Sequence, residues 1–131
     1  MNKLDAFLGI KFHPDNRNQQ LIEKIVDTLK TRSIYAKVFV KDIEDYGKHK
    51  IKSSQIMPIT LLEIKKADIF IAECTEKGVG VGIEAGIAYA SGLPVYVIAK
   101  KGSRVSDNMK RIAKQIIFYK DTKEISEKLK L

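Results

Sequence analysis

Residues 67–95 read ADIFIAECTEKGVGVGIEAGIAYASGLPV. The apolar centre of residues 68–74 predicts a buried strand, and a glycine-rich connection follows it. A helix is expected over about residues 83–91, where Gly92 ends it, and residues 95–99 predict the next strand. A strand, a helix and a second strand in this order are typical of a right-handed crossover between parallel strands.

The same alternation extends to both sides of this segment. Further strands are predicted over residues 6–12, 34–40 and 116–119. One helix is predicted over residues 18–31, and a second is expected to end near Lys66, with Pro58 near its first turn. Two more are predicted, one from Ser106 or Asp107 to about residue 114 and one that starts at Asp121. The polar residues 41–54 are expected to form an exposed loop. We therefore predict an α/β fold, a flavodoxin-like three-layer sandwich with a five-stranded parallel sheet in the order 2-1-3-4-5.

Length and composition exclude several classes of protein. The chain has 131 residues, of which 44% are hydrophobic, and this predicts a single domain over residues 1–131. No apolar run approaches the roughly 20 residues that span a bilayer, and no signal-peptide layout opens the sequence. Cys74 has no second cysteine to pair with, and only two histidines are present. We expect a cytoplasmic protein with neither a metal nor a cofactor.

The net charge of +8 favours an anionic partner. The basic residues are spread along the chain, without an arginine-rich run or interleaved aromatic residues, so the pattern does not favour nucleic acid. Paired acids that would hold Mg²⁺ do not follow the first predicted strand, which disfavours a phosphoryl-receiver domain. A small anionic or polar molecule remains the expected ligand.

The predicted topology places a ligand site outside the carboxyl ends of strands one and three. Residues 11–17 and 75–83 would face this crevice. The second segment opens a run with four glycines in nine residues, among them Gly78, Gly80 and Gly82. Glycines that lead into a helix N-terminus allow an anion to approach the backbone N–H groups. The run is neither a dinucleotide fingerprint, which belongs after the first strand, nor a nucleotide-hydrolase phosphate loop.

Glu84 is the main candidate for chemistry. On the predicted boundaries it lies in the first turn of the third helix, where the helix dipole favours an ionised carboxylate unless burial outweighs that effect. An ionised carboxylate beside such a cleft can attack an electron-poor carbon, as in retaining glycosyl transfer. The alternative is a charge that only stabilises the helix N-terminus.

The segments ADIFIAECT, residues 67–75, GVGIEAGIAYA, residues 80–90, and GLPV, residues 92–95, resemble the nucleoside 2-deoxyribosyltransferase and 2′-deoxynucleoside 5′-phosphate N-hydrolase superfamily. The resemblance implies that Glu84 is the nucleophile of a double displacement at C1′ of a 2′-deoxyribosyl group. It also implies a flavodoxin-like fold, a nucleoside or nucleotide substrate, and homodimers or larger assemblies in which a neighbouring subunit completes each site.

Substrate contacts implied by the resemblance fall on both predicted crevice segments and on a later one. They involve Gly9 and Lys11 in the first loop, the glycines at 78, 80 and 82, and Ser106 and Asn108 near the fourth helix. Three positions depart from the family pattern: Ala6 replaces a tyrosine, a residue near Thr60 replaces an aspartate, and Gly78 replaces a serine. These departures leave a second interpretation open, a non-catalytic nucleotide-binding or sensing module on the same fold.

Overall fold

The computed structural model describes residues 2–131 and contains one five-stranded parallel sheet. Short apolar runs form its strands, as expected where both faces of a sheet are covered. The strand order is β2-β1-β3-β4-β5, which confirms the predicted flavodoxin-like topology. The strands are β1 (Leu4–Gly9), β2 (Ile34–Val38), β3 (Ile69–Glu73), β4 (Val95–Lys100) and β5 (Gln115–Tyr119).

Five α-helices cover the two faces of the sheet and complete the three layers. They are α1 (Gln19–Lys30), α2 (Ser53–Lys66), α3 (Val79–Ala90), α4 (Asp107–Ile112) and α5 (Lys123–Lys128). Helices α1 and α5 share one apolar core with the sheet, and α2, α3 and α4 share the other. Because side chains alternate along a strand, Leu8 enters the first core and Phe7 the second. None of the helices in residues 2–131 is long and apolar enough to cross a membrane.

Helix α3 begins at Val79, four residues before the predicted start. Gly78 is extended and precedes the first turn, so Gly80 and Gly82 lie inside the helix and not in a loop. Each helical glycine disfavours the helix by about 1 kcal/mol relative to alanine. Burial of one helix face on the sheet outweighs this penalty; the buried members of α3 are Val81, Ala85 and Ala88.

The prediction of an exposed loop over residues 41–54 is correct in that none of these residues is buried, but wrong in that much of the segment has regular backbone structure. After β2 the chain forms a π-helical turn, Phe39–Ile43, and a 3-10 turn, Asp45–Gly47. The turn begins where β2 ends because the Asp42 carboxylate accepts the backbone N–H of Val38 at 2.7 Å. Helix α2 then starts at Ser53. Pro58 therefore lies in the helix interior and not near its first turn, and the backbone hydrogen bond that it cannot donate is missing there.

Candidate active site

A cavity of about 420 Å³ opens at the carboxyl ends of β1 and β2. Its walls come from these strand ends, the segment after β2, helix α2 and the first two turns of α3. The segment after β3 contributes residues 78–81 to the wall but β3 itself contributes none, so the cavity lies nearer to β2 than the predicted crevice between β1 and β3. Its volume is within the range of small-molecule sites.

Glu84 lines this cavity from the second turn of α3 and is half-buried. The first turn of α3 contains no acidic residue, so the predicted stabilisation by the helix dipole does not apply. Burial raises the pKa of the Glu84 carboxyl to about 7. No hydrogen bond or neighbouring charge from residues 2–131 opposes that effect. The site therefore holds a carboxylate that lacks a protein partner and faces open space.

Gly9, the last residue of β1, allows Glu84 to approach the strand. A Cβ atom built on Gly9 would lie 3.0 Å from Oε1 of Glu84 and 2.9 Å from Cζ of Phe70. Real Cβ atoms essentially never show an approach as close as the one to Phe70, and the approach to Glu84 is tighter than nine in ten real Cβ contacts. Phe70 is fully buried and stacks on Phe7, so its ring cannot move away easily. The Glu84 carboxylate can occupy this position because Gly9 has no side chain.

We expect Gly9→Ala to lower the free energy of unfolding by about 1–3 kcal/mol, as overpacking does, and to displace Glu84. Gly82→Ala is the matched control, because a Cβ at that helical position meets no atom within 4 Å. That control should raise the free energy of unfolding by about 0.5–1 kcal/mol. Urea denaturation measures both values. Equal effects of the two substitutions would contradict the close packing at Gly9.

The charged side chains of the first loop form ion pairs, except for Lys11. Nε2 of His13 lies 2.7 Å from the Glu76 carboxylate, and Arg17 pairs with Asp15 at 3.0 Å. Hydrogen bonding to His13 holds the pKa of Glu76 below its usual range. Lys11 donates from Nζ to the carbonyl of Lys77 at 3.0 Å and lines the cavity. Of the cationic side chains in residues 2–131, Lys11 alone belongs to the cavity wall and is not paired with an acid.

The structure brings together five of the eight site residues predicted from the sequence. Gly9, Lys11, Gly78, Gly80 and Glu84 all line the cavity. The other three, Gly82, Ser106 and Asn108, lie outside its lining. All three are exposed in the single chain.

Ser106 and Asn108 have structural partners on helix α4. The Ser106 hydroxyl accepts the backbone N–H of Met109 and caps the helix. Asn108 accepts a hydrogen bond from Arg111 at 2.8 Å. A role for these two residues in substrate binding stays a prediction that requires a second subunit.

Two of the three departures from the family pattern, Ala6 and Thr60, differ in location. Ala6 is buried with α1 and α5, in the core on the other side of the sheet from Glu84. Thr60 lines the cavity, but its hydroxyl donates to the carbonyl of Ile56 at 2.8 Å within α2. Neither residue supplies an acidic or phenolic group to the cavity.

The segment after β2 contributes to the cavity in a way that the sequence pattern did not indicate. Phe39 and Glu44 both line the cavity, and burial raises the pKa of the Glu44 carboxyl above its usual value. The polar composition of residues 41–54 indicated solvent exposure, and no periodicity marked Glu44 as different from its neighbours. Only the turn at Phe39–Ile43, which follows from the Asp42 contact, brings this carboxylate to the site.

Two other reactive groups near the strand ends are accounted for locally. The Glu73 carboxylate is buried and accepts hydrogen bonds from the Thr75 N–H, the Thr75 hydroxyl and the Tyr119 hydroxyl. Burial and the adjacent Glu73 raise the pKa of the Cys74 thiol to about 12, which disfavours a reactive thiolate. No group of three or more potential metal ligands occurs in residues 2–131.

Comparison with solved structures confirms the fold. A CMP N-glycosidase, BcmB, from Clostridium botulinum is 19% identical with a TM-score of 0.67, over 95% of this chain and 96% of that one. A 2-deoxyribosyltransferase from Bacillus psychrosaccharolyticus is 15% identical with a TM-score of 0.75, over 93% and 90%. The solution structure of BlsM is 18% identical with a TM-score of 0.69, over 95% and 86%. No family model and no curated protein sequence matches the chain.

Proposed function

We propose that this protein is an enzyme that cleaves or transfers the N-glycosidic bond of 2′-deoxynucleosides or their 5′-monophosphates, with Glu84 as the nucleophile. The observation that carries the proposal is the unpartnered Glu84 carboxylate, which lies against Gly9 in a cavity at the strand ends. The sequence motif around Glu84 and the likeness in fold to an N-glycosidase and a deoxyribosyltransferase support the same activity.

The reaction would proceed as a double displacement. An oxygen of the Glu84 carboxylate attacks C1′, and the bond from C1′ to the base nitrogen breaks, so that its electron pair leaves with the base. Water or a second base then attacks C1′ of the glycosyl ester and releases the carboxylate. Because Glu84 has no protein donor on its oxygens, its electron pairs are free for the first attack.

Apolar groups on the cavity wall suit a nucleobase. Phe39 is half-buried, Phe12 is exposed at the rim, and Val40 and Ile56 add aliphatic surface. Aromatic faces bind bases by stacking and tolerate different bases. We place the base against this wall and the sugar near Glu84.

Lys11 and the N-terminus of α3 would bind a 5′-phosphate. Lys11 is the cation on the cavity wall, and Gly78 and Gly80 bring the first turn of the 12-residue helix α3 to the same wall. Free N–H groups at a helix N-terminus favour anions. These contacts support monophosphates as preferred substrates.

Lys11→Gln should raise the KM for a 5′-monophosphate about tenfold, because one charge-assisted hydrogen bond to the phosphate is lost. The KM for the matching nucleoside should stay within about twofold. Arg17→Gln is the control with the same loss of charge, since Arg17 already pairs with Asp15 and should affect neither substrate by more than about twofold. Steady-state kinetics gives the KM of each variant relative to wild type, for the nucleoside and for the monophosphate. Equal changes for nucleoside and monophosphate would contradict the phosphate contact.

We also propose a homodimer, with a second copy of this chain covering the outer faces of α2 and α3. Large apolar side chains are exposed there: Met57, Leu62, Val79, Ile83 and Tyr89. Analytical ultracentrifugation tests the assembly, and a monomer at micromolar concentration would contradict it.

A base-release assay tests the proposed activity. The purified protein is incubated with the four common 2′-deoxynucleosides and their 5′-monophosphates, with and without a second free base, and products are separated by liquid chromatography. Release of free base in water indicates a hydrolase, and formation of a new nucleoside indicates a transferase. Nucleotide binding without any bond cleavage would contradict the enzyme and favour the non-catalytic binding module.

A further inference from the structure

A second carboxylate, Glu44, lines the same cavity as Glu84, from the segment after β2. Glu44 follows β2, whereas Glu84 belongs to the helix that follows β3, and β1 lies between these strands. The Glu84 carboxylate reaches over the end of β1, where its Oε1 would lie 3.0 Å from a Cβ atom on Gly9. Only the step from β1 to β2, about 4.8 Å between neighbouring strands, separates that position from the strand that Glu44 follows. A nucleoside with C1′ beside Glu84 would extend its base from the end of β1 toward the segment after β2 that contains Glu44.

The Glu44 carboxylate is half-buried and has no protein donor, which distinguishes it from the bonded Asp42 and Glu23 and from the exposed Asp45. Asp42 accepts the Val38 N–H at 2.7 Å, and Glu23 accepts the Tyr46 hydroxyl at 2.9 Å. Glu44 is half-buried, and no group from residues 2–131 donates a hydrogen bond to its side chain or lowers its pKa. A carboxylate that is partly desolvated and unsatisfied gains from a ligand that brings N–H groups.

The backbone holds Glu44 firmly at this place. Its N–H donates to the carbonyl of Phe39 at 3.1 Å, and its carbonyl accepts the N–H of His49 at 2.9 Å. The next two residues, Asp45 and Tyr46, have φ angles of 45° and 53°, a left-handed conformation that is unfavourable for side-chain-bearing residues. Strained backbone of this kind persists where surrounding contacts enforce it and is often found at functional sites.

Tyr46 supplies the contacts that enforce this turn. Besides donating to Glu23 on α1, it accepts a hydrogen bond at its carbonyl from the Asn16 side chain at 3.1 Å. The segment after β2 is thereby attached to both α1 and the first loop. Glu44 is presented to the cavity by a fixed turn, as a specificity-determining group requires.

We propose that Glu44 determines base specificity and selects guanine, an inference that rests on the proposed function. The Glu44 carboxylate would accept hydrogen bonds from the N–H groups on the base edge farthest from the sugar. A carboxylate offers two acceptor oxygens and no donor. Guanine presents two adjacent N–H donors on that edge, at N1 and N2. Thymine presents a single N–H between two carbonyl oxygens, and adenine and cytosine place an acceptor nitrogen beside their amino groups, so each of these bases repels one carboxylate oxygen.

The test measures binding, so that it remains valid if the protein releases no base. Dissociation constants for dGMP and dIMP are measured by calorimetry in the Glu84→Gln variant, with and without the additional change Glu44→Gln. The two nucleotides differ only in the 2-amino group, which hypoxanthine lacks. With Glu44 present, dGMP should bind about tenfold more tightly than dIMP. With Glu44→Gln, the ratio should fall to within about twofold, while dIMP binding changes by less than about threefold.

Asp45→Asn is the control for loss of a nearby carboxylate. Asp45 is exposed, and asparagine tolerates its positive φ, so the tenfold preference for dGMP should persist. An unchanged preference in Glu44→Gln, an equal loss of affinity for both nucleotides, or failure of the starting protein to bind either one would overturn the proposal. Absence of base release by the wild-type protein would overturn the proposed activity and leave the role of Glu44 to be decided by these ratios.

Discussion

Glu84→Gln should lower the rate of base release by roughly 10⁴-fold, because the amide is nearly isosteric but lacks the negative oxygen that attacks C1′. The cavity should stay intact, since no protein group donates a hydrogen bond to this carboxylate that the amide would have to replace. Single-turnover and steady-state assays of free base measure the loss. Nucleotide affinity, measured by calorimetry, should remain within about threefold of wild type.

The control for this substitution is Glu127→Gln on α5. Glu127 is exposed and takes part in no ion pair of the described residues, so its replacement should leave base release within about twofold. A Glu84→Gln variant that keeps more than a tenth of wild-type activity would remove Glu84 from the role of nucleophile. The remaining activity would then have to come from another group on the cavity wall.

The second large effect is on pH dependence. Since Glu84 must be ionised to attack and burial raises its pKa to about 7, kcat/KM should rise with pH through about 7. Below that value the ionised fraction falls tenfold per pH unit, so the rate at pH 5 should be about 100-fold below the plateau. A rate that is constant between pH 5 and pH 8 would contradict a buried, ionising nucleophile.

The same ionisation should also affect the free energy of unfolding, but in the opposite direction: activity rises with pH, whereas stability falls. A carboxyl whose pKa is raised on folding contributes stability below its unfolded pKa of about 4.5, and that contribution is lost as pH rises through about 7. Glu84→Gln removes this dependence. Relative to wild type, its free energy of unfolding should increase by about 1–2 kcal/mol between pH 5 and pH 8, which is below the full linkage value because Glu84 is only half-buried. Urea titrations at the two pH values provide the comparison.

Burial on both faces made the sheet predictable from the sequence. Strands such as β3 and β4 are continuous apolar runs with a helix-length segment between them, so their number and parallel direction follow from pattern and handedness, whereas the strand order is much less determined by the sequence. The start of helix α3 was harder to predict, because the glycines at its beginning are typical of a loop. Its early start depends on tertiary burial of Val81 and Ala85, which local preference does not contain.

The candidate site was predictable only in part for a similar reason. Gly9 ends β1, Lys11 follows it and Glu84 follows β3, and the ends of these neighbouring strands meet by topology, so the sequence could predict that the three residues lie close together. Glu44 reaches the cavity through a π-helical turn and a left-handed turn that side-chain contacts of Asp42 and Tyr46 maintain. Such turns have no periodic signature, and a polar segment that folds back on a site has the same composition as an exposed loop.

The central claim is that a covalent bond forms between Glu84 and the sugar. It is tested most directly by incubating the wild-type protein with a 2′-deoxynucleoside analogue that carries fluorine at C2′, which slows breakdown of the glycosyl ester, and measuring the intact mass followed by peptide mapping. We predict an increase equal to one fluorinated deoxyribosyl group per chain, located on the peptide that contains Glu84 and absent in Glu84→Gln. Stoichiometric release of base with no adduct, or an adduct on another residue, would contradict the account.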